Sequence, residues 1–129
     1  MLLDEARRRI AVLERAKGGV ELGRVGIAAV MTEQAQAYLD LLEDDAALAA
    51  VRSDVETLAA SGSAARRVYG ALLLRAIDAD AGRAAFEAMA DSDETFSFAP
   101  GGCRIETYTL REYGKACLER QAWFTRTTS

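Results

Sequence analysis

Apolar residues at Leu3, Ala6, Ile10 and Leu13 recur at alternating intervals of three and four, the spacing of one helical face. Gly18 and Gly19, after Lys17, predict the stop of that helix. Helical spacing returns at Ile27, Val30, Met31, Ala35, Tyr38 and Leu42, and ends at Glu43-Asp44-Asp45. The stripe passes Thr32 without a change of phase and predicts one long helix over 27–42. A shorter helix capped by Thr32 is the alternative, but Ala35 at its N3 position provides no capping box. Asp45 is the expected N-cap of the next helix, in which Leu48, Val51, Val55 and Leu58 share a face. Ser61-Gly62-Ser63 ends it and caps its successor. There Ala65, Val68, Leu72 and Ile77 form a stripe widened by Tyr69 and Leu73, which predicts burial against more than one neighbour. After Asp78-Ala79-Asp80, a fifth helix turns Ala85, Phe86 and Met89 inward as far as Asp91.

The period then changes from 3.6 to two. Thr95-Phe96-Ser97-Phe98 and Cys103 to Tyr108 alternate on either side of Pro100-Gly101-Gly102, which predicts a small β-hairpin at about 95–108. Phe96, Phe98, Cys103 and Ile105 are its expected inward set. In the last helix, Thr109 is the N-cap and Glu112 completes a capping box, while Tyr108 and Tyr113 form a hydrophobic staple. Leu110, Tyr113, Cys117 and Phe124 follow one face, and 125–129 read as a frayed polar tail. The expected fold is all-α, or mainly α: a single domain over 1–129 of about six helices in an irregular bundle, with the hairpin before the last helix.

Residues 63–93 resemble one HEAT-type helical repeat. Ser63-Ala-Ala-Arg-Arg-Val-Tyr-Gly-Ala-Leu-Leu-Leu-Arg-Ala-Ile77 is similar to the first helix of such a unit, Asp78-Ala79-Asp80 to its turn, and Ala81 to Asp91 to its second helix. The resemblance implies a stacked antiparallel helix pair, and with it a short HEAT-like stack as the alternative to an irregular bundle, in a class used mainly to bind other macromolecules. It covers about a quarter of the chain. The turn lacks a proline, no second repeat follows, and a hairpin stands where another helix pair belongs.

Composition narrows the function classes. The chain has 129 residues, half of them hydrophobic and 28% charged, which excludes intrinsic disorder and collagen-like sequence. A chain of this length buries enough surface to fold without a metal or disulfide. Histidine is absent, which removes Ser–His–Asp and Cys–His catalysis and the ordinary proton shuttle near neutral pH. A net charge of −4 argues against nucleic acid as a partner. The N-terminal Met-Leu-Leu-Asp-Glu-Ala-Arg-Arg-Arg places charges where a signal peptide needs its apolar stretch, so none is expected, and no apolar run is long enough to span a membrane. A cytoplasmic location is therefore expected, and there Cys103 and Cys117 are expected as unpaired thiols.

Site motifs are few. Gly18 to Gly26 lacks the Lys-Ser/Thr pair of a phosphate loop and any Gly-x-Gly, and reads as a connection between helices. Asp78-Ala79-Asp80-Ala81-Gly82 opens like a calcium loop, but Gly82 and Met89 fall at ligand positions. The acidic groups 43–45, Asp91, Asp93 and Glu94 read as caps and solvated loops. The basic clusters are Arg7-Arg8-Arg9 and Arg66-Arg67; the second is the candidate partner-binding pair. Cys103 is the candidate reactive thiol, since Gly101-Gly102 offers an anion nest and Arg104 a nearby charge.

The expected function is a non-enzymatic cytosolic protein–protein interaction module, an adaptor or immunity-like helical domain that binds another protein or a second copy of itself. No cofactor, metal, nucleic acid or membrane partner is expected. Two alternatives stand beside it. One is a small-ligand-binding regulatory domain with a pocket among Tyr38, Tyr69, Phe86 and Met89, and the other is a thiol-dependent enzyme using Cys103. The sharpest local expectation is the capping box. Thr109→Ala should lower stability by about 0.5–2 kcal/mol. Equal denaturation midpoints for the variant and the parent would show that Thr109 is not the cap.

Overall fold

The computed structural model describes residues 1–26 and 29–119. The element order is α1 (Leu3–Glu14), β1 (Gly19–Glu21), α2 (Glu33–Leu42), α3 (Asp45–Ala50), α4 (Arg52–Ala60), α5 (Ala64–Ile77), α6 (Ala79–Glu87), β2 (Thr95–Gly101), β3 (Arg104–Thr109) and α7 (Leu110–Glu119). The fold is mainly α with a small sheet of strand order β1-β2-β3. Among the described residues seven helices stand where about six were expected, because the apolar stripe of Leu48, Val51, Val55 and Leu58 keeps its phase across a break at Val51. The cap of α3 is Asp44, one residue before the expected Asp45, and its carboxylate accepts from the Ala47 amide.

The middle of α5 is buried on every side, from Val68 through Leu74, as its wide stripe predicted. It packs on α4, α6, α2 and both β1 and β2. Gly70 makes the closest of these approaches possible. A Cβ there would run into the Ala59 backbone, so α4 and α5 meet main chain to main chain. One buried cluster extends from Ala6 in α1 to Cys117 in α7.

The expected hairpin is part of a three-stranded sheet. The segment read as a plain connection contains β1, whose Gly19, Val20 and Glu21 lie parallel to Ser97, Phe98 and Ala99. Gly19 therefore belongs to a strand and does not cap α1, and its missing side chain leaves room for the Ser97 hydroxyl. The outward groups of β1 have no neighbouring strand, and side chains replace it. The Glu21 amide donates to the Tyr69 hydroxyl at 2.8 Å, and that hydroxyl donates to the Glu21 carbonyl at 2.8 Å. Gln34 Nε2 donates to the same hydroxyl and to the Gly19 carbonyl, at 3.0 and 2.7 Å. One tyrosine and one glutamine thus complete the ladder from α5 and α2.

The long helix expected over 27–42 begins instead at Glu33. Thr32 is its N-cap, accepting from the Ala35 amide and donating to the Glu21 carboxylate. Before it, Val25 and Val30 pair across a turn in which Gly26 and Ala29 take positive φ, and Val30 is exposed. The expected place of Ile27 on the stripe lies outside the described residues.

In the sheet, Phe96 and Phe98 are buried as expected, but Cys103 and Ile105 are exposed. Phe96 pairs with Tyr108 and Phe98 with Glu106, so the even-numbered residues of β3 share the phenylalanine face. An irregularity between Phe98 and Gly101 shifts the phase around the turn and turns Ile105 outward. The capping box of α7 forms in full: Thr109 N–H to Glu112 Oε1 at 2.8 Å, and Glu112 N–H to Thr109 Oγ1 at 3.0 Å. The staple rings Tyr108 and Tyr113 lie 6.0 Å apart, and Tyr113 also meets Phe96, Phe98 and Phe86. Phe124 and the tail 125–129 lie outside the described residues.

The Tyr69 hydroxyl gives a direct test of this architecture. Tyr69→Phe leaves two buried groups of Glu21 without their partner and should cost about 1–3 kcal/mol. Urea denaturation with an unchanged slope and a lowered midpoint is the expected result, and an unchanged midpoint would remove the hydroxyl from the account.

Candidate functional site: unpaired arginines at the two ends of α5

Helix α5 contains Arg66, Arg67 and Arg75 and no acidic residue. Five arginines elsewhere are matched, Arg9 by Asp40, Arg15 by Glu33, Arg52 by Glu56 and Asp78, Arg104 by Glu106 and Arg111 by Asp93, whereas Arg7, Arg8, Arg24 and Arg83 make no ion pair among the described residues. None of the three on α5 makes an ion pair among the described residues.

At the N-terminal end, Ser63 caps the helix through the Arg66 amide and donates to the Ala16 carbonyl. The Glu94 carboxylate accepts from the Ala64 amide at 2.7 Å, so this residue, read as part of a solvated loop, stabilises the helix start from the other side. Arg66 folds back over Gly62, whose positive φ and bare Cα make the room. Both Arg66 and Arg67 are half-buried, rather than lying on a fully solvated face. Their Nε atoms are buried with no hydrogen-bond partner among the described residues. A positive charge near a helix N-terminus opposes the macrodipole, at a typical cost of about 0.3–1 kcal/mol each.

At the other end, Arg75 has Asp78 three positions on, at the usual spacing for a helical ion pair. Asp78 is used elsewhere. Its carboxylate accepts from the Asp80 and Ala81 amides as the α6 cap and from Arg52 at 3.1 Å. Those bonds, the Ala81 amide first and Arg52 next, hold the Asp78 pKa below its usual value. This is capping chemistry rather than a calcium loop. Gly82, at the fifth loop position, is buried against the Arg75 backbone and brings α6 close to α5.

The Arg75 guanidinium lies over the Phe86 ring, 4.8 Å from its centroid. Both terminal nitrogens are buried and lack a hydrogen-bond partner among the described residues. The Arg75 side chain lines a cleft of about 210 Å³ together with Arg83, Phe86, Cys117 and Leu118. Burial pushes the Cys117 thiol up to about 12 despite the opposing pull of Arg75, and raises the Tyr38 and Tyr113 phenols well above their ordinary values. The groups that face Arg75 are therefore neutral at physiological pH. Two other depressions, near α1 and α2, contain the ion pairs Arg15 with Glu33 and Arg9 with Asp40 and one further carboxylate each, Glu21 and Glu33, so neither offers an unmatched positive charge.

The remaining sequence candidates are separate from this cleft. Cys103 is exposed at the turn between β2 and β3. The anion nest expected beside it is occupied, because the Gly102 amide donates to the Arg24 carbonyl at 2.8 Å. Arg104 is paired with Glu106. Tyr38, Tyr69, Phe86 and Met89 are buried core residues, and Tyr38 and Tyr69 pack against each other with ring centroids 5.6 Å apart. Among the described residues no group of His, Cys, Asp and Glu is placed to hold a metal ion. No family model, curated protein or solved structure matches the chain.

Access and burial together predict how the two thiols react. Iodoacetamide near pH 8 should modify Cys103 in the native protein and reach Cys117 only after unfolding. Mass spectrometry of partially alkylated protein reads this directly. Native modification of Cys117 would contradict its burial.

Proposed function

We propose that the chain is a non-enzymatic cytoplasmic interaction module that recognises an acidic surface on another protein through Arg66 and Arg67. One observation carries this reading: two guanidiniums stand at the positive end of α5 without an ion pair among the described residues. Local stability alone favours acidic residues there. Departures from such local rules concentrate at functional positions, where another constraint has been met. The HEAT-like reading of α5 and α6 fits the same role, since stacked helix pairs of that kind present surfaces to other macromolecules. A cytoplasmic place accords with two free cysteines, and no helix among the described residues is long and apolar enough to cross a membrane.

The test separates binding from folding. Double charge reversal, Arg66→Glu with Arg67→Glu, should leave the melting temperature unchanged or raise it, because carboxylates suit a helix start. The same variant should lose at least about tenfold in affinity for a partner first captured with the parent chain and then titrated as a purified protein. Leu72→Ala should instead destabilise the fold by about 2–5 kcal/mol through lost burial and the cavity left behind. A purified partner that binds the reversed variant as tightly as the parent would contradict the reading.

A further inference from the structure

We infer that the cleft between α5, α6 and α7 is a binding site for a small free oxyanion, a carboxylate or phosphate, held by Arg75 with Arg83 as the second positive charge. The inference stands apart from partner recognition through Arg66 and Arg67, which occupy the opposite end of α5.

Four observations converge on it. Nη1 and Nη2 of Arg75 are buried and unpartnered among the described residues, although a guanidinium removed from water is strongly unfavourable without an anion or acceptor. The two terminal nitrogens form a planar fork, the donor geometry that matches a carboxylate or phosphate edge. The fork is held from behind by the Phe86 ring, so it is oriented before any ligand arrives. No carboxylate lines the cleft among the described residues, and Arg83, exposed at its mouth, adds a second unpaired charge. The neighbouring thiol and phenols stay protonated and supply no counter-charge.

Size selects the ligand. A volume of about 210 Å³ lies below the roughly 300–1,000 Å³ of pockets that enclose drug-sized molecules. It holds a group the size of phosphate or a short dicarboxylate with a few waters. Phe86 and Leu118 give the lining an apolar part, which suits a compact anion with a short carbon skeleton more than a nucleotide.

The experiment is a titration of isotopically labelled full chain with inorganic phosphate and, separately, with succinate, at constant ionic strength set by chloride. Saturable shifts centred on the amides of Arg83, Phe86, Cys117 and Leu118 are expected for at least one of the two. Arg75→Met should abolish them while the remaining amide spectrum stays folded, and Arg83→Gln should weaken binding severalfold. An acidic peptide forms a third arm. Saturation by the peptide but by neither free anion would overturn the free-ligand form in favour of a partner's carboxylate. Linear, non-saturating shifts with both anions, or the same affinity in Arg75→Met, would overturn the site. If Arg75→Met does not fold, an undiminished affinity in Arg83→Gln would do the same.

Discussion

The sheet exists because β1 has a second neighbour that is not a strand. Three residues cannot hold a parallel pairing alone, and Glu21 presents its amide and carbonyl to the interior on the side away from β2. Tyr69 meets both groups with one hydroxyl, and Gln34 supplies a further donor to that hydroxyl and to the Gly19 carbonyl. The oxygen thus donates once and accepts twice, and no buried polar atom in the junction lacks a partner. This fixes β1 against the middle of α5 and the first turn of α2. The positions of β2 and β3 and the docking of α7 through Tyr113 all follow from that attachment.

The same requirement that keeps the middle of α5 apolar restricts its charges to the ends. Leucines, alanines and Gly70 occupy the turns in contact with α4, α6 and the sheet, leaving arginines for the first turn and for the edge that faces α6. Acidic residues near these ends are committed to backbone capping: Glu94 to the start of α5 and Asp78 to the start of α6. The chain carries a net negative charge, yet its central helix is cationic and unmatched. Both binding proposals rest on this local imbalance, one at each end of the helix.

How much of this was legible in the sequence depended on how far each signal reaches. The α7 start was readable because Thr109, Glu112, Tyr108 and Tyr113 interact within a few positions of one another. The wide stripe of α5 announced its central place for the same reason. β1 was invisible: its partner is distant in the chain, and glycines around a three-residue strand look like any loop. The period over 27–42 suggests a longer helix than forms, because Val30 and Met31 match a helical spacing while the backbone turns at Gly26 and Ala29. Alternation carried across the turn points Cys103 and Ile105 inward, and the irregularity between Phe98 and Gly101 reverses it. Arg75 gave no local sign, since Asp78 at the right spacing promised it a partner. Only the fold shows that Arg52, on another helix, takes that carboxylate.

The central claim is that the Tyr69 hydroxyl holds β1 as firmly as a strand neighbour would. Native-state hydrogen exchange at the Glu21 amide measures this most directly, because that N–H is bonded to the tyrosine oxygen and to no backbone carbonyl. This amide should open with a free energy close to that of the buried amides of α5, such as those of Leu72 and Leu73. Exchange of the Glu21 amide at the rate of an exposed loop, with α5 still protected, would contradict it.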